Sequence, residues 1–250
     1  MKIALCLSGQ PRSIDAGFRA LNESIFKYNN NVDVFIHTWF DENNLSTNSV
    51  IPGRELNRLD PNSIEKLKSY YNPKSILVEK PRFWDEKYDF TELCFVKAWT
   101  WALEVKTGMD SAKDYICNTA NSMFYSIMKA NTIKNQYCLE NNITYDLVIR
   151  NRIDYGPHLG LNFDEMFTDE FEDDVLIYHD LFQPNDMISD WFAMGRTHTM
   201  NVYSDVYNNI YNLVKQSNQI DGYWCNELLL KHQIINNNIK IEKVDFKVHY

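Results

Sequence analysis

The residues that punctuate irregular chains are few. Eight Gly and seven Pro in 250 residues exclude collagen-like and low-complexity classes. Cysteine is scarce and scattered. Cys6, Cys94, Cys117, Cys138 and Cys225 are odd in number and contain no C-x-x-C. Neither a disulfide scaffold nor a zinc site is expected, and the thiols read as buried groups of a reducing compartment. No apolar run approaches the ~18 residues of a membrane span. The opening run Ile3-Ala4-Leu5-Cys6-Leu7 is too short for a signal-peptide core and reads as a strand, so the expected location is the cytoplasm. Basic charge is short as well: 25 Lys and Arg against 34 Asp and Glu give a formal net charge of −9. Sequence-independent nucleic-acid binding needs a basic face, so nucleic acid is not an expected partner, whereas a few local Arg and Lys can hold a small anion. Aromatic residues do not interleave with basic ones along the chain, which argues against base-stacking platforms. Walker, G-x-G-x-x-G, G-x-S-x-G and H-x-x-x-H patterns are all missing.

What the chain does have is material for a core. Hydrophobic residues make up 44%, with 14 Phe, 15 Tyr and 6 Trp, enough to fold rather than remain disordered. Lys2 to Leu7 predicts a first strand. Ile14, Phe18, Leu21 and Ile25 recur at spacings of four, three and four, predicting an amphipathic helix of about 15 residues. Val32 to His37 predicts a second strand, so the chain opens as a parallel α/β unit. Residues 41–62 are polar and turn-rich. A helix over 61–71 carries Pro61 in its first turn, and Ser75 to Glu79 is a third strand. Residues 80–118 hold Trp84, Trp99 and Trp101, with a helix expected at about 91–105. Ala120, Met123, Ile127 and Ala130 predict a helix over 119–140. The apolar run Tyr145 to Ile149 reads as a strand buried on both faces. Further strands are expected at 174–178, 191–194 and 240–246, and helices at 198–216 and 222–235. No repeat or Pro/Ser-rich linker interrupts the pattern, so 1–250 is read as one domain whose two halves share a sheet.

Four segments can carry chemistry. Ser8-Gly9-Gln10-Pro11-Arg12 is the turn after strand one, feeding a helix N-terminus. In an open parallel sheet, ligands sit outside the carboxyl ends of the strands, and free amides at a helix start favour an anion such as a diphosphate. Gly9 permits close approach, Gln10 can read a base edge and Arg12 can fork a phosphate; an ordinary turn with a surface Arg is the plainer alternative. Arg150-Asn151-Arg152-Ile153-Asp154 ends a buried strand, where unpaired charge is costly. Its carboxylate can hold a divalent cation that in turn holds a diphosphate; an internal Arg–Asp network explains the same residues. Asp190, ahead of Trp191-Phe192-Ala193-Met194-Gly195, can orient a sugar hydroxyl or act as a base, or lie in a solvated turn. Glu227 near a helix start can do the same, or simply complement the dipole and pair with Lys231. His249 is a lone imidazole that can ligate a metal.

Three stretches together carry a resemblance. One is Ile3-Ala4-Leu5-Cys6-Leu7-Ser8-Gly9-Gln10-Pro11-Arg12, with Asp33-Val34-Phe35-Ile36-His37-Thr38-Trp39 behind it. Another is Met123 to Asn131, leading into Tyr145-Asp146-Leu147-Val148-Ile149-Arg150-Asn151-Arg152-Ile153-Asp154. The last is Ser189-Asp190-Trp191-Phe192-Ala193-Met194-Gly195. In these the chain resembles the GT-A-type glycosyltransferases of bacterial, phage and giant-virus surface-polysaccharide clusters. The resemblance implies a GT-A-like (Rossmann-like) α/β domain with a mostly parallel central sheet flanked by helices. It implies a nucleotide-binding half at about 1–155 and an acceptor half at about 156–250. It puts Arg152-Ile153-Asp154 in the place of an Asp-x-Asp motif, whose carboxylates meet the ribose and a Mn2+ or Mg2+ on the diphosphate. Here Arg152 replaces the first carboxylate, and a guanidinium can itself neutralise diphosphate charge. The resemblance implies donor contacts from Ser8, Gly9, Gln10, Arg12, Tyr125, Lys129 and Arg152, with Asp154 toward a metal; Arg150 joins the expected donor contacts and His249 the expected metal ligands on the reading of the residues themselves.

The expected reaction is therefore transfer of a sugar from a nucleotide-diphosphate donor to a hydroxyl of a glycan or lipid-linked acceptor, in the host cytoplasm if the source is viral. Asp190 is the first choice for the base and Glu227 the second. The competing class is an inactive nucleotide- or carbohydrate-binding protein of the same fold. A nucleotidyltransferase would need a glycine-rich phosphate loop, and the turn after strand one has a single Gly.

Overall fold

Strand β1 (Ile3–Gly9) is buried along almost its whole length because it runs inside a seven-stranded sheet. The computed structural model describes residues 1–46, 58–91, 109–167, 172–179 and 187–244. Along β1, Ile3, Leu5 and Leu7 point into the core on one face, and Ala4 and Cys6 into the core on the other, as strand periodicity requires. The remaining elements follow in order: α1 (Ile14–Leu21), β2 (Val32–Trp39), α2 (Ser63–Tyr71), β3 (Ser75–Glu79), α3 (Met109–Asn141), β4 (Leu147–Arg152), α4 (Phe163–Met166), β5 (Val175–His179), β6 (Phe192–Gly195), α5 (Thr197–Ser204), α6 (Val206–Ile220), α7 (Asn226–Asn236) and β7 (Lys240–Val244).

The sheet order is β3-β2-β1-β4-β6-β5-β7. Among the described residues only β6 runs against its neighbours, pairing antiparallel with both β4 and β5; the other pairings there are parallel. Residues of α1, α2 and α4 join the apolar cluster on one face, and those of α3, α5, α6 and α7 join the cluster on the other. This is the expected α/β class, a mostly parallel sheet with helices on both faces. No helix among the described residues is long and apolar enough to cross a membrane.

Several boundaries differ from the sequence expectation. The first helix is α-helical only to Leu21 and continues as a π-helical turn over Asn22–Phe26. Helix α3 starts ten residues before the expected 119. Strand β4 does not contain Tyr145; it starts at Leu147 and runs on through Arg150-Asn151-Arg152. Those polar residues belong to the ladder because β1 pairs on one side (Cys6 with Arg150, Ser8 with Arg152) and β6 on the other (Arg150 with Ala193, Asn151 with Phe192). The single helix expected over 198–216 is two, broken at Asp205, whose side chain accepts bonds from Asn208 and Asn209. Helix α7 starts at Asn226 rather than 222, since Gly222 takes φ 79° and Cys225 is extended. Cys6 and Cys117 are buried as expected, but Cys138 and Cys225 are only partly so. The helix expected at 91–105 falls mostly outside the described residues, with Trp99, Trp101 and Cys94, as do His249 and the end of the last strand beyond Val244.

Candidate functional site

The order of the strands reverses at β1. From β1 the chain moves through α1 to β2 and β3 on one side, then crosses by α3 to β4 on the other. A crevice outside the carboxyl ends of β1 and β4 is where such sheets bind ligands. Two of the four sequence segments emerge there side by side, because Ser8 and Arg152 are register partners. Ser8 itself is buried. Gly9 takes φ +122°, a conformation that side chains disfavour, and nothing lies within 4 Å of where its Cβ would stand. Its N–H donates to Ser126 Oγ at 3.0 Å and its carbonyl accepts from Thr38 Oγ1 at 2.9 Å. Gln10, partly exposed, turns the chain: its carbonyl accepts the Arg12 N–H at 2.8 Å. Arg12 also edges a cleft of 170 Å³ shared with Arg58, Asp60 and Lys66.

Arg12 and Arg152 converge on one carboxylate. Arg152 forks Asp154, with Nε to Oδ1 at 2.8 Å and Nη2 to Oδ2 at 2.7 Å, while Arg12 Nη2 reaches Oδ2 at 3.1 Å. Burial opposes ionisation of Asp154, but Arg152 and then Arg12 outweigh it and hold its carboxyl below the ordinary value. For Arg152 burial acts against the charge and Asp154 overcomes it, raising the pKa. The Arg152 guanidinium also stands over the Trp191 ring at 4.6 Å, and Trp191 meets Tyr155 edge-on at 5.4 Å. Two glycines make this convergence possible. A Cβ on Gly17 would lie 2.0 Å from the Ile153 carbonyl oxygen, and one on Gly156 would lie 2.9 Å from the backbone of Ala20 and Leu21. Helix α1 therefore rests directly on the turn that carries Asp154.

Arg150, Asp190 and Glu227 form an inner layer. Arg150 is 3% exposed; its Nη1 donates to the Trp191 carbonyl at 2.5 Å and its Nε is buried without a partner. Burial draws its pKa down, with Tyr203 and Asp190 acting against that. Asp190 does not lie in a solvated turn: it is 7% exposed, and its Oδ1 is buried with no hydrogen-bond partner. Glu227, partly buried in the first turn of α7, sits close by, because its carbonyl accepts from the Ile188 N–H at 3.4 Å. Its carboxylate meets the Cys225 thiol, whose pKa is pushed up by burial and then by Glu227.

A second arrangement escaped sequence reasoning. His37, fully buried in β2, places Nε2 2.8 Å from Glu79 Oε2 and Nδ1 2.7 Å from Ser126 Oγ. A carboxylate only accepts, so Nε2 carries the proton and Nδ1 accepts from Ser126, which in turn accepts from Gly9. Ser126 is buried against β1, so this Glu–His–Ser relay braces Gly9 instead of presenting a nucleophile. Beside it, Trp39, Trp84 and Tyr125 form a buried aromatic cluster. Tyr125 stacks on Trp39 at 5.4 Å and its hydroxyl donates to Glu79 at 3.3 Å. Arg82 stands 4.1 Å from the Tyr125 ring centre, and Lys129 Nζ 5.2 Å from it. Tyr125 and Lys129 thus belong to the ends of β2 and β3, across Gly9 from the Arg12–Asp154–Arg152 group. Basic and aromatic groups separated in sequence meet in space here. The signal available was His37 inside the apolar strand Val34-Phe35-Ile36, where an imidazole needs partners.

Among the described residues the donor set around Asp154 does not fit a divalent cation. Both Asp154 oxygens already accept guanidinium N–H groups. Among the described residues no three His, Cys, Asp or Glu side chains come together as metal ligands, and His249 lies outside those residues. No family model and no curated protein matches the sequence. Among solved structures the chain is similar to mouse xyloside xylosyltransferase 1 in its apo form, at 11% sequence identity and a TM-score of 0.45, covering 98% of this chain and 84% of that one.

Proposed function

We propose that the protein transfers a glycosyl group from a nucleotide-diphosphate sugar to a hydroxyl of a glycan or lipid-linked sugar, in the cytoplasm and within surface-polysaccharide synthesis. One observation carries the reading: Arg12 and Arg152 meet over Asp154 at the carboxyl ends of β1 and β4. As the bond between the anomeric carbon and the donor oxygen breaks, the departing diphosphate gains negative charge. Fixed guanidinium groups favour that state over the ground state. The open side of Gly9 leaves room for the donor to approach. In an inverting reaction the acceptor oxygen attacks from the opposite face and gives its proton to a carboxylate. Asp190, with an unpartnered Oδ1, is assigned that role, and Glu227 is the second candidate.

A thermal-shift panel of UDP, GDP, CMP and their sugars tests the binding, and product formation tests the transfer. Stabilisation by one nucleotide diphosphate and turnover of its sugar are expected. No response to any nucleotide would sink the proposal. One observation favours the inactive binder instead: Asp190 is almost fully enclosed, so an acceptor has little access to its carboxylate. Selective nucleotide stabilisation without turnover on any acceptor would decide for that reading.

A further inference from the structure

We infer that this chain holds a diphosphate with guanidinium groups in the place where a divalent cation would otherwise serve; the inference rests on the donor site proposed above. The first argument concerns lone pairs. A hard cation needs several carboxylate or carbonyl oxygens converging on it. The carboxylate just past the end of β4, Asp154, already accepts three N–H bonds at 2.7–3.1 Å. The second concerns charge. Arg12 and Arg152 both contact Asp154, two guanidinium groups against one carboxylate, a formal net +1. Such a site repels Mn2+ and attracts an anion.

The third argument concerns unused donors. A guanidinium carries five N–H groups in a rigid fork. Asp154 engages Arg152 through Nε and Nη2 and Arg12 through Nη2 alone, while Arg12 Nε is buried without a partner. Trp191, 38% exposed, backs the Arg152 plane, which fixes the fork before any ligand arrives. Asp154 is then a positioning residue that clamps two cations, each with donors left for a phosphoryl group.

The test is calorimetric titration of inorganic pyrophosphate, and of the nucleoside diphosphate selected by the thermal panel, in EDTA and in Mn2+. Binding in EDTA is expected, with Mn2+ changing Kd by less than about threefold. Arg12→Ala and Arg152→Ala should each weaken it tenfold or more, the scale of one charged hydrogen bond. Arg152→Lys keeps the charge without the fork and should also weaken binding, which guards against a folding defect in the alanine variant. Asp154→Asn should give the same Kd in both buffers. Binding that appears only with Mn2+ or Mg2+, or that ignores Arg12 and Arg152, overturns the inference. Transfer that requires a metal would do so while leaving the glycosyltransferase reading intact. Metal-free pyrophosphate binding without cleavage of any nucleotide sugar would do the reverse.

Discussion

At the scale of single residues, His37 gives the clearest pH signature. Burial first, against the opposing pull of Glu79, lowers its pKa from 6.5 to about 4. Between those values the unfolded chain binds a proton that the native imidazole refuses. Stability is therefore unaffected above pH 6.5 and falls as pH drops toward 4, by a total on the order of 3 kcal/mol. Urea unfolding from pH 7 to 4 should show that loss, and His37→Gln should flatten it. The Asp154 carboxyl, held below its ordinary 3.8, contributes stability that disappears only at lower pH, so the two windows separate. Asp190 and Glu227 divide on chemistry. Asp190→Asn should cut single-turnover transfer about a hundredfold or more with donor binding kept, and Glu227→Gln should cost less, because its carboxylate already meets the Cys225 thiol. A dead Glu227→Gln beside an active Asp190→Asn would exchange the roles.

At the scale of elements, Gly17 sets the distance between α1 and the end of β4. Gly17→Ala places a methyl against the Ile153 carbonyl, so the helix must move away. A loss of about 1–3 kcal/mol is expected from such overpacking, read from the denaturant midpoint, together with weaker pyrophosphate binding as Arg12 leaves Asp154. How far elements were legible depended on who their neighbours are. Strands β1, β2 and β3 announced themselves as apolar runs bounded by turns. The end of β4 did not, because Arg150 and Arg152 look like loop residues until Ser8 and Ala193 are seen pairing beside them. The Asp205 break was hidden because apolar spacing continues across it. Within the site, Ser8 to Arg12 and Arg150 to Asp154 stood out as polar residues ending apolar strands. Their meeting, across 142 positions, is a property of the strand order, as is the junction of His37, Glu79 and Ser126.

At the scale of the whole molecule, a chain of net charge −9 brings the guanidinium groups of Arg12 and Arg152 together on Asp154 at the carboxyl ends of β1 and β4. A nucleoside diphosphate at a hundred times its Kd should stabilise the fold by about 2.7 kcal/mol, or roughly 5–10 °C in Tm for a chain of this length. A differential scan of the wild type beside Arg152→Ala measures that, and equal shifts in both would place the ligand elsewhere. The sheet order also imposes a timetable on synthesis. Strands β3, β2, β1 and β4 come from the first 152 residues, whereas β6, the partner that covers the free side of β4, begins at Phe192. At about 5–20 residues per second, the roughly 40 intervening residues keep the ribosome busy for several seconds. Through that interval the backbone amides and carbonyls along one side of β4 have no strand to bond. The nascent chain is then an open template, and a chaperone that shields strand edges should crosslink to it most strongly before Phe192 leaves the exit tunnel.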